Sequence, residues 1–155
     1  DMNKEVMIMT FSETVLAASA VPDRVTFQQR VNGGQQHVLA SGSAISLEDT
    51  ILEYTLAKVD LDAIKAKRLL ATNGADTFVV VATGAFTDTA HNDLEEIPFV
   101  GALPVDEFTS DKTRPTLEAA ALDLNTRQLV LSFSETVAGT GTPIADMWPA
   151  AGVPA

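Results

Sequence analysis

The two histidines are the side chains of this 155-residue chain best suited to acid–base chemistry. A catalytic histidine works with a nucleophile and with a partner that orients its ring. The residues around His37 and His91 mark neither of these partners. We therefore expect solvated or structural roles for both histidines, and we expect that the protein is not an enzyme.

Two Ser-Glu pairs, Ser12-Glu13 and Ser134-Glu135, also place a hydroxyl beside a carboxylate. Both pairs follow the same kind of apolar segment, at equivalent places in a repeat described below. Short polar side chains at such places commonly hydrogen-bond to nearby backbone groups. The recurrence therefore favours capping of strand ends over catalysis.

An acidic segment at residues 86–96 is the best candidate for binding a cation. Its oxygen and nitrogen donors are Asp88, His91, Asn92, Asp93, Glu95 and Glu96. Calcium takes about six to eight oxygen ligands, and dedicated calcium loops space them as Asp-x-Asp-x-Asp-Gly. Because that spacing is missing, we expect a solvated acidic loop and neither a bound metal nor a cofactor.

The net charge of −11 argues against a basic patch for nucleic acid or an anionic membrane. The chain has no cysteine, which excludes disulfides and thiol chemistry. No apolar run approaches the roughly 20 residues of a membrane-spanning helix, so we expect no membrane insertion. The N-terminus lacks an apolar signal core, and we expect any secretion signal to have been removed or to lie outside this segment.

A stretch of 15 residues occurs twice and organises the rest of the chain. Residues 1–15 align without a gap with residues 123–137, an offset of 122 (123 minus 1). Seven of the 15 pairs are identical, and five more exchange Met for Leu, Ile for Val or Thr for Ser. This spacing is domain-sized and far exceeds the roughly 20–50 residues of solenoid repeats. The sequence therefore predicts most of one domain followed by the opening of a second.

Alternating apolar residues predict that most of the chain is β-strand. In the second copy, Leu129, Leu131 and Phe133 alternate with polar or smaller residues, which is typical of a half-buried strand. The same alternation predicts that Leu52, Tyr54 and Leu56 face inward. Further strands are predicted at 5–13, 25–31, 36–40, 44–47, 77–82 and 116–122. Pro98 and Pro104 favour an edge or irregular strand over 97–108.

One helical segment is predicted over 60–70, with Asp60 as its N-cap. Val25, Phe27 and Val31 are expected to share one face of their strand. About eight or nine short strands with a single helix indicate an all-β antiparallel sandwich.

Phe-Ser-Glu-Thr-Val after an alternating strand resembles the bacterial-type immunoglobulin-like (Ig-like) repeats of giant cell-surface proteins. The likeness covers most of residues 1–137. Its further segments are residues 60–66, 70–72, 77–79, 87–92 and 108–117. The resemblance implies an Ig-like sandwich and an extracellular, cell-surface or filament setting, including mastigoneme-type filaments. It also implies self-association in tandem or as a homopolymer.

These patterns divide the chain into four predicted parts. Residues 1–110 form an Ig-like repeat, 111–115 a linker, 116–137 the opening strands of a second repeat, and 138–155 a Pro- and Gly-rich tail. We expect a structural subunit of an extracellular filament or surface fibre. The alternative is an adhesion module that binds a glycan or a partner protein through its loops.

Repeat one begins at its second strand, so it lacks a copy of the strand at 116–122. We therefore expect residues 116–134 of one subunit to complete the sandwich of the next, head to tail. The predicted subunit contacts are Leu117, Leu122, Leu129, Leu131 and Phe133. Trp148 is either a further anchor on a neighbour or part of a disordered end.

Overall fold

The computed structural model describes residues 1–137, which form two antiparallel sheets, one α-helix and a separate hairpin. Sheet one contains β1 (Val6–Thr10), β4 (Gly42–Glu48) and β5 (Ile51–Leu56) in the order β1-β5-β4. Sheet two contains β2 (Val25–Arg30), β3 (Gly33–Val38), β6 (Phe78–Val81) and β7 (Leu103–Pro104) in the order β3-β2-β6-β7. The hairpin pairs β8 (Leu117–Asp123) with β9 (Gln128–Phe133). The predicted all-β antiparallel sandwich with one short helix is confirmed.

The core lies between the two sheets and follows the alternation of their strands. Leu52, Tyr54 and Leu56 are buried, as predicted for β5. Val25 and Phe27 are buried on β2, but the prediction for Val31 is wrong because that side chain is exposed. A β-bulge between Gln28 and Arg30 shifts the register before Val31, and such a shift turns the following side chain to the other face.

The helix α1 (Lys58–Lys65) starts two residues earlier and ends five residues sooner than expected. Its N-cap is Ala57, so the prediction that Asp60 caps the helix is wrong. Asp60 instead lies fully buried beneath the connection between β3 and β4. There its carboxylate accepts hydrogen bonds from the backbone N–H groups of Ala40 and Ser41 and contacts His37. Asp60 thus makes tertiary contacts with the β3–β4 connection in place of the predicted N-cap hydrogen bonds.

Only a short piece of the predicted edge strand is regular. Leu103 and Pro104 form β7, while Ile97 makes an isolated bridge to Val81 on the same sheet. This irregularity agrees with the two prolines, since proline removes a donor from the ladder. As a result, sheet two ends in a very short strand on the side where sheet one ends in β1.

Candidate assembly interface

The sequence repeat is also a structural repeat, because both copies fold into the same turn. The carboxylates of Asp1 and Asp123 each accept hydrogen bonds from the backbone N–H groups two and three residues ahead. Four residues after each aspartate, Glu5 and Arg127 adopt left-handed backbone conformations with φ of 62° and 57°. In the second copy this turn joins β8 to β9. In the first copy it leads into β1 and supplies only the first rung beside it, through the hydrogen bonds between Asp1 and Val6.

The β8–β9 hairpin leaves its apolar side chains in solvent. Four of the predicted contact residues are between 44% and 65% exposed, and the fifth is half-buried. The four are Leu117, Leu122, Leu129 and Leu131, and the fifth is Phe133. By contrast, the buried apolar side chains all lie between Met2 and Ala102. The half-buried inner face expected for β9 is therefore not formed by residues 1–137.

A groove of about 930 Å³ lies between the outer edges of the two sheets. β1 contributes one wall, and the segment that contains β7 contributes the other. Its apolar lining includes Met7, Met9, Phe11, Leu103, Val105 and Phe108. At its floor the ring of Phe11 stands edge-on to Phe86, with 5.5 Å between ring centroids. Residues 1–137 therefore leave the sandwich incompletely filled along β1.

Among residues 1–137, one edge of β1 is bonded to β5, and the other edge is paired only at Val6, by Asp1. Phe11 N donates to Thr50 O at the end of β5, which shows that the odd-numbered residues bond β5. Neighbouring residues of a strand direct their N–H and C=O groups to opposite edges. Ile8 and Thr10 therefore direct theirs to the groove side. A free edge of this kind is a template for a further strand.

A polar cluster, here named the clasp, joins the hairpin to the sandwich; its members are Asp62, Lys65, Asp111, Glu135 and Thr136. Lys65 Nζ lies 2.5 Å from Asp111 Oδ2 and 3.3 Å from Glu135 Oε2. The Thr136 hydroxyl donates to Asp62 Oδ1 at 2.7 Å. The Lys65 side chain is only 15% exposed. The clasp thus connects helix α1, the linker and the end of β9.

The ionisation of the clasp matches its geometry. The hydrogen bond from Thr136 and the nearby Lys58 lower the pKa of Asp62. Burial alone lowers the pKa of Lys65, but hydrogen bonds to Asp111 and Glu135 outweigh it and raise the pKa overall. Burial likewise opposes ionisation of Asp111, and the ammonium of Lys65 outweighs it and lowers the pKa. All three groups are therefore held in their charged forms around neutral pH.

The clasp changes the interpretation of the repeated Ser-Glu-Thr segment. Ser134 does cap a strand end, since its hydroxyl accepts from Thr116 N at 2.9 Å. Glu135 and Thr136 do not act as caps, because their side chains contact Lys65 and Asp62 and are half-buried. The equivalent residues of the first copy, Ser12, Glu13 and Thr14, are all exposed. The capping hypothesis is therefore correct for Ser134 and wrong for Glu135.

The candidates for catalysis and metal binding have structural explanations. His37 Nε2 lies 2.8 Å from Asp60 Oδ1, so His37 helps to hold the β3–β4 connection. In the acidic loop, Asp88 accepts hydrogen bonds from Ala90 and Asn92 and organises a turn. Among residues 1–137, no cluster of three or more His, Cys, Asp or Glu side chains is arranged to hold a metal ion. The same residues include no helix long and apolar enough to cross a membrane.

Sequence reasoning missed Lys65, Asp62 and Asp111 as contact residues. A charged helix face is normally solvated, and the linker gave no signal of its own. The recurrence of Glu13 as Glu135 was the available signal, because an exposed glutamate has no local reason to recur at a strand end. Trp148 and the rest of 138–155 lie outside the described residues.

Comparisons with known proteins leave the chain to be interpreted from its own geometry. No protein-family model, curated protein or solved structure matches it.

Proposed function

We propose that the protein is a structural subunit of an extracellular filament or cell-surface fibre, built from Ig-like repeats that assemble head to tail. The proposal rests on the resemblance of the repeated segment and on one structural observation. The chain carries a strand pair whose second strand, β9, repeats the edge strand β1 of its own sandwich, and residues 1–137 leave a groove open at that edge. A module of this kind works by joining to others and needs no catalytic group.

The repeat supplies a register for a strand paired beside β1. Within the hairpin, β8 pairs antiparallel with β9. β9 is the repeat equivalent of β1, with residue numbers higher by 122. Subtracting 122 from each β9 residue therefore gives the β1 residue that would pair with the same residue of β8. The transferred register sets Leu122 opposite Met7, Ala120 opposite Met9 and Leu117 opposite Phe11. Residues directly opposite each other share a face of the sheet, so Leu117, Ala120 and Leu122 all enter the groove.

Backbone alternation decides which edge of β8 is used. Ser134 N donates to Thr116 O, so the even-numbered residues of β9, including Val130, bond β8. The partner of Val130 is Ala121, which therefore shares the edge of β8 that faces β9. If β8 paired through its other edge, the side chains on its two faces would exchange places, and Leu122 would point away from the groove. We infer that β8 exchanges β9 for the β1 of a second copy.

The exchange gives a head-to-tail contact. One copy donates β8 and accepts a strand at its own β1, so donor and acceptor surfaces differ. A contact of this heterologous kind produces an open filament unless its rotation closes a ring. The released β9, with Leu129, Leu131 and Phe133, remains the predicted second strand of the next repeat. Strand addition provides main-chain hydrogen bonds for affinity and side-chain pockets for specificity.

Deletion of residues 112–155 tests this function by removing the donor strand. We expect the full chain to form filaments or higher oligomers, measured by electron microscopy and light scattering. The shortened chain keeps the buried core and is expected to remain monomeric. Normal filaments from the shortened chain would refute the proposal. A full chain that stays monomeric and binds a component of a glycan array would favour the adhesion module instead.

A further inference from the structure

We propose that Glu13 and Thr14 form a docking surface for the clasp of a second copy of this chain. This inference rests on the proposed function and adds a second contact, separate from strand donation. In the assembled state, Glu13 replaces Glu135 at Lys65 of the neighbouring copy. Thr14 replaces Thr136 at its Asp62.

The first support is the different burial of two equivalent segments. Glu135 and Thr136 are half-buried against α1 and the linker, whereas Glu13 and Thr14 are exposed. Both segments follow strands of the same pattern by the same number of residues. Glu13 and Thr14 therefore carry the same carboxylate and hydroxyl groups that contact Lys65 and Asp62 in the clasp, but they are exposed.

The second support is the spatial order of the donated strand and the clasp. Asp111 lies within the clasp, and β8 begins at Leu117 a few residues later. In the hairpin, Thr116 pairs with Ser134 immediately before Glu135. When β8 pairs with β1 in the same register, Thr116 meets Ser12, and the clasp of the donor then reaches Glu13. One rigid arrangement satisfies both contacts.

The third support is the charge at each surface. Lys65 is a cation shared between two carboxylates, of which Asp111 belongs to the linker and stays with the donor. The other carboxylate belongs to the segment that the exchange releases. Glu13 restores the same charge at the same place. The exchange therefore leaves Lys65 with two carboxylate partners and adds no charge to the site.

Charge reversal in two chains tests the pairing directly. Lys65→Glu places a carboxylate beside Asp111, and Glu13→Lys places an ammonium on the docking surface. We expect the critical concentration for assembly of each variant alone to rise at least tenfold. In each case the side chains at positions 65 and 13 of neighbouring copies then carry like charges. An equimolar mixture of the two variants is expected to recover heteromeric complexes, measured by light scattering and native mass spectrometry.

Glu48→Lys is the matched control, because Glu48 is exposed on β4 at the opposite side of sheet one. It makes the same charge change and is expected to assemble as the unmodified chain does. If the unmodified chain assembles but the mixture does not recover, the docking of Glu13 at Lys65 is wrong while the proposed function stands. Single variants that assemble normally would also overturn the docking. An unmodified chain that never assembles refutes the proposed function itself.

Discussion

At the scale of single residues, Asp60 shows how one buried charge holds a connection between strands. Its carboxylate binds two backbone N–H groups, from Ala40 and Ser41, and the ring of His37. Burial alone raises the pKa of Asp60, but these three hydrogen bonds outweigh burial and leave the pKa below its ordinary value. The Asp60 carboxylate therefore has hydrogen-bond partners within the fold. Its contact with the His37 ring gives that histidine a structural role.

Asp60→Asn is expected to destabilise the protein at neutral pH by about 1.5–3 kcal/mol, because it weakens hydrogen bonds to a charged group. A lowered folded-state pKa adds stability above the unfolded value of about 3.9. That addition disappears as pH falls through the folded value. The difference between the two proteins should therefore shrink below about pH 4. Urea unfolding at several pH values measures it.

Asp49→Asn serves as the control, since Asp49 is exposed and surface changes of this kind stay within about 0.5 kcal/mol. An Asp60→Asn protein as stable as this control at neutral pH would show that the buried carboxylate contributes nothing.

At the scale of elements, the β8–β9 hairpin is the part of the structure that most needs a partner. An isolated two-stranded hairpin is at best marginally stable in water. Here the hairpin has exposed apolar side chains, and Glu135 and Thr136 at its clasp end hydrogen-bond to helix α1 of the sandwich. The donated-strand account gives β8 an apolar face in a groove, which removes Leu117 and Leu122 from water.

Leu122→Ser separates assembly from stability. Leu122 is 65% exposed in the single chain, so its loss should change the free energy of unfolding by less than about 0.5 kcal/mol. In the assembled state the same change removes an inward-facing leucine, and we expect the critical concentration to rise about tenfold or more. Sedimentation velocity over a concentration series provides the measurement. Ala121→Ser, on the outward face of the same strand, should assemble normally, and equal effects from both variants would contradict the proposed register.

The elements also show what the sequence predicts well. Alternation located the strands and the inward face of β5, because period-2 patterning directly reflects burial between two sheets. It misplaced the start of α1, since Asp60 is recruited by a strand connection far away in sequence. It missed the clasp for the same reason. Lys65, Asp111 and Glu135 meet only through tertiary structure, and each alone has the pattern of a solvated charge.

At the scale of the whole molecule, the proposed assembly rests on a repeated edge strand and on the groove beside its first copy. The turn before β1 already holds Asp1 at the place where a preceding strand pairs with Val6. Within residues 1–137, the pairing on this edge of β1 extends no further than that rung. We propose that a strand with the sequence of β8 pairs with β1 in this position.

Fusing a second copy of residues 112–122 directly before Asp1 tests whether such a strand pairs with β1. The copied Leu122 then precedes Asp1 as Leu122 precedes Asp123, so the added strand fills the groove of its own chain. Burial of two leucines should raise the free energy of unfolding by about 3 kcal/mol, or roughly 10 °C in Tm. The same fusion should abolish assembly, because the acceptor edge is occupied. A fusion with serine in place of both copied leucines is the control. Unchanged Tm and unchanged filaments in the leucine fusion would contradict the account.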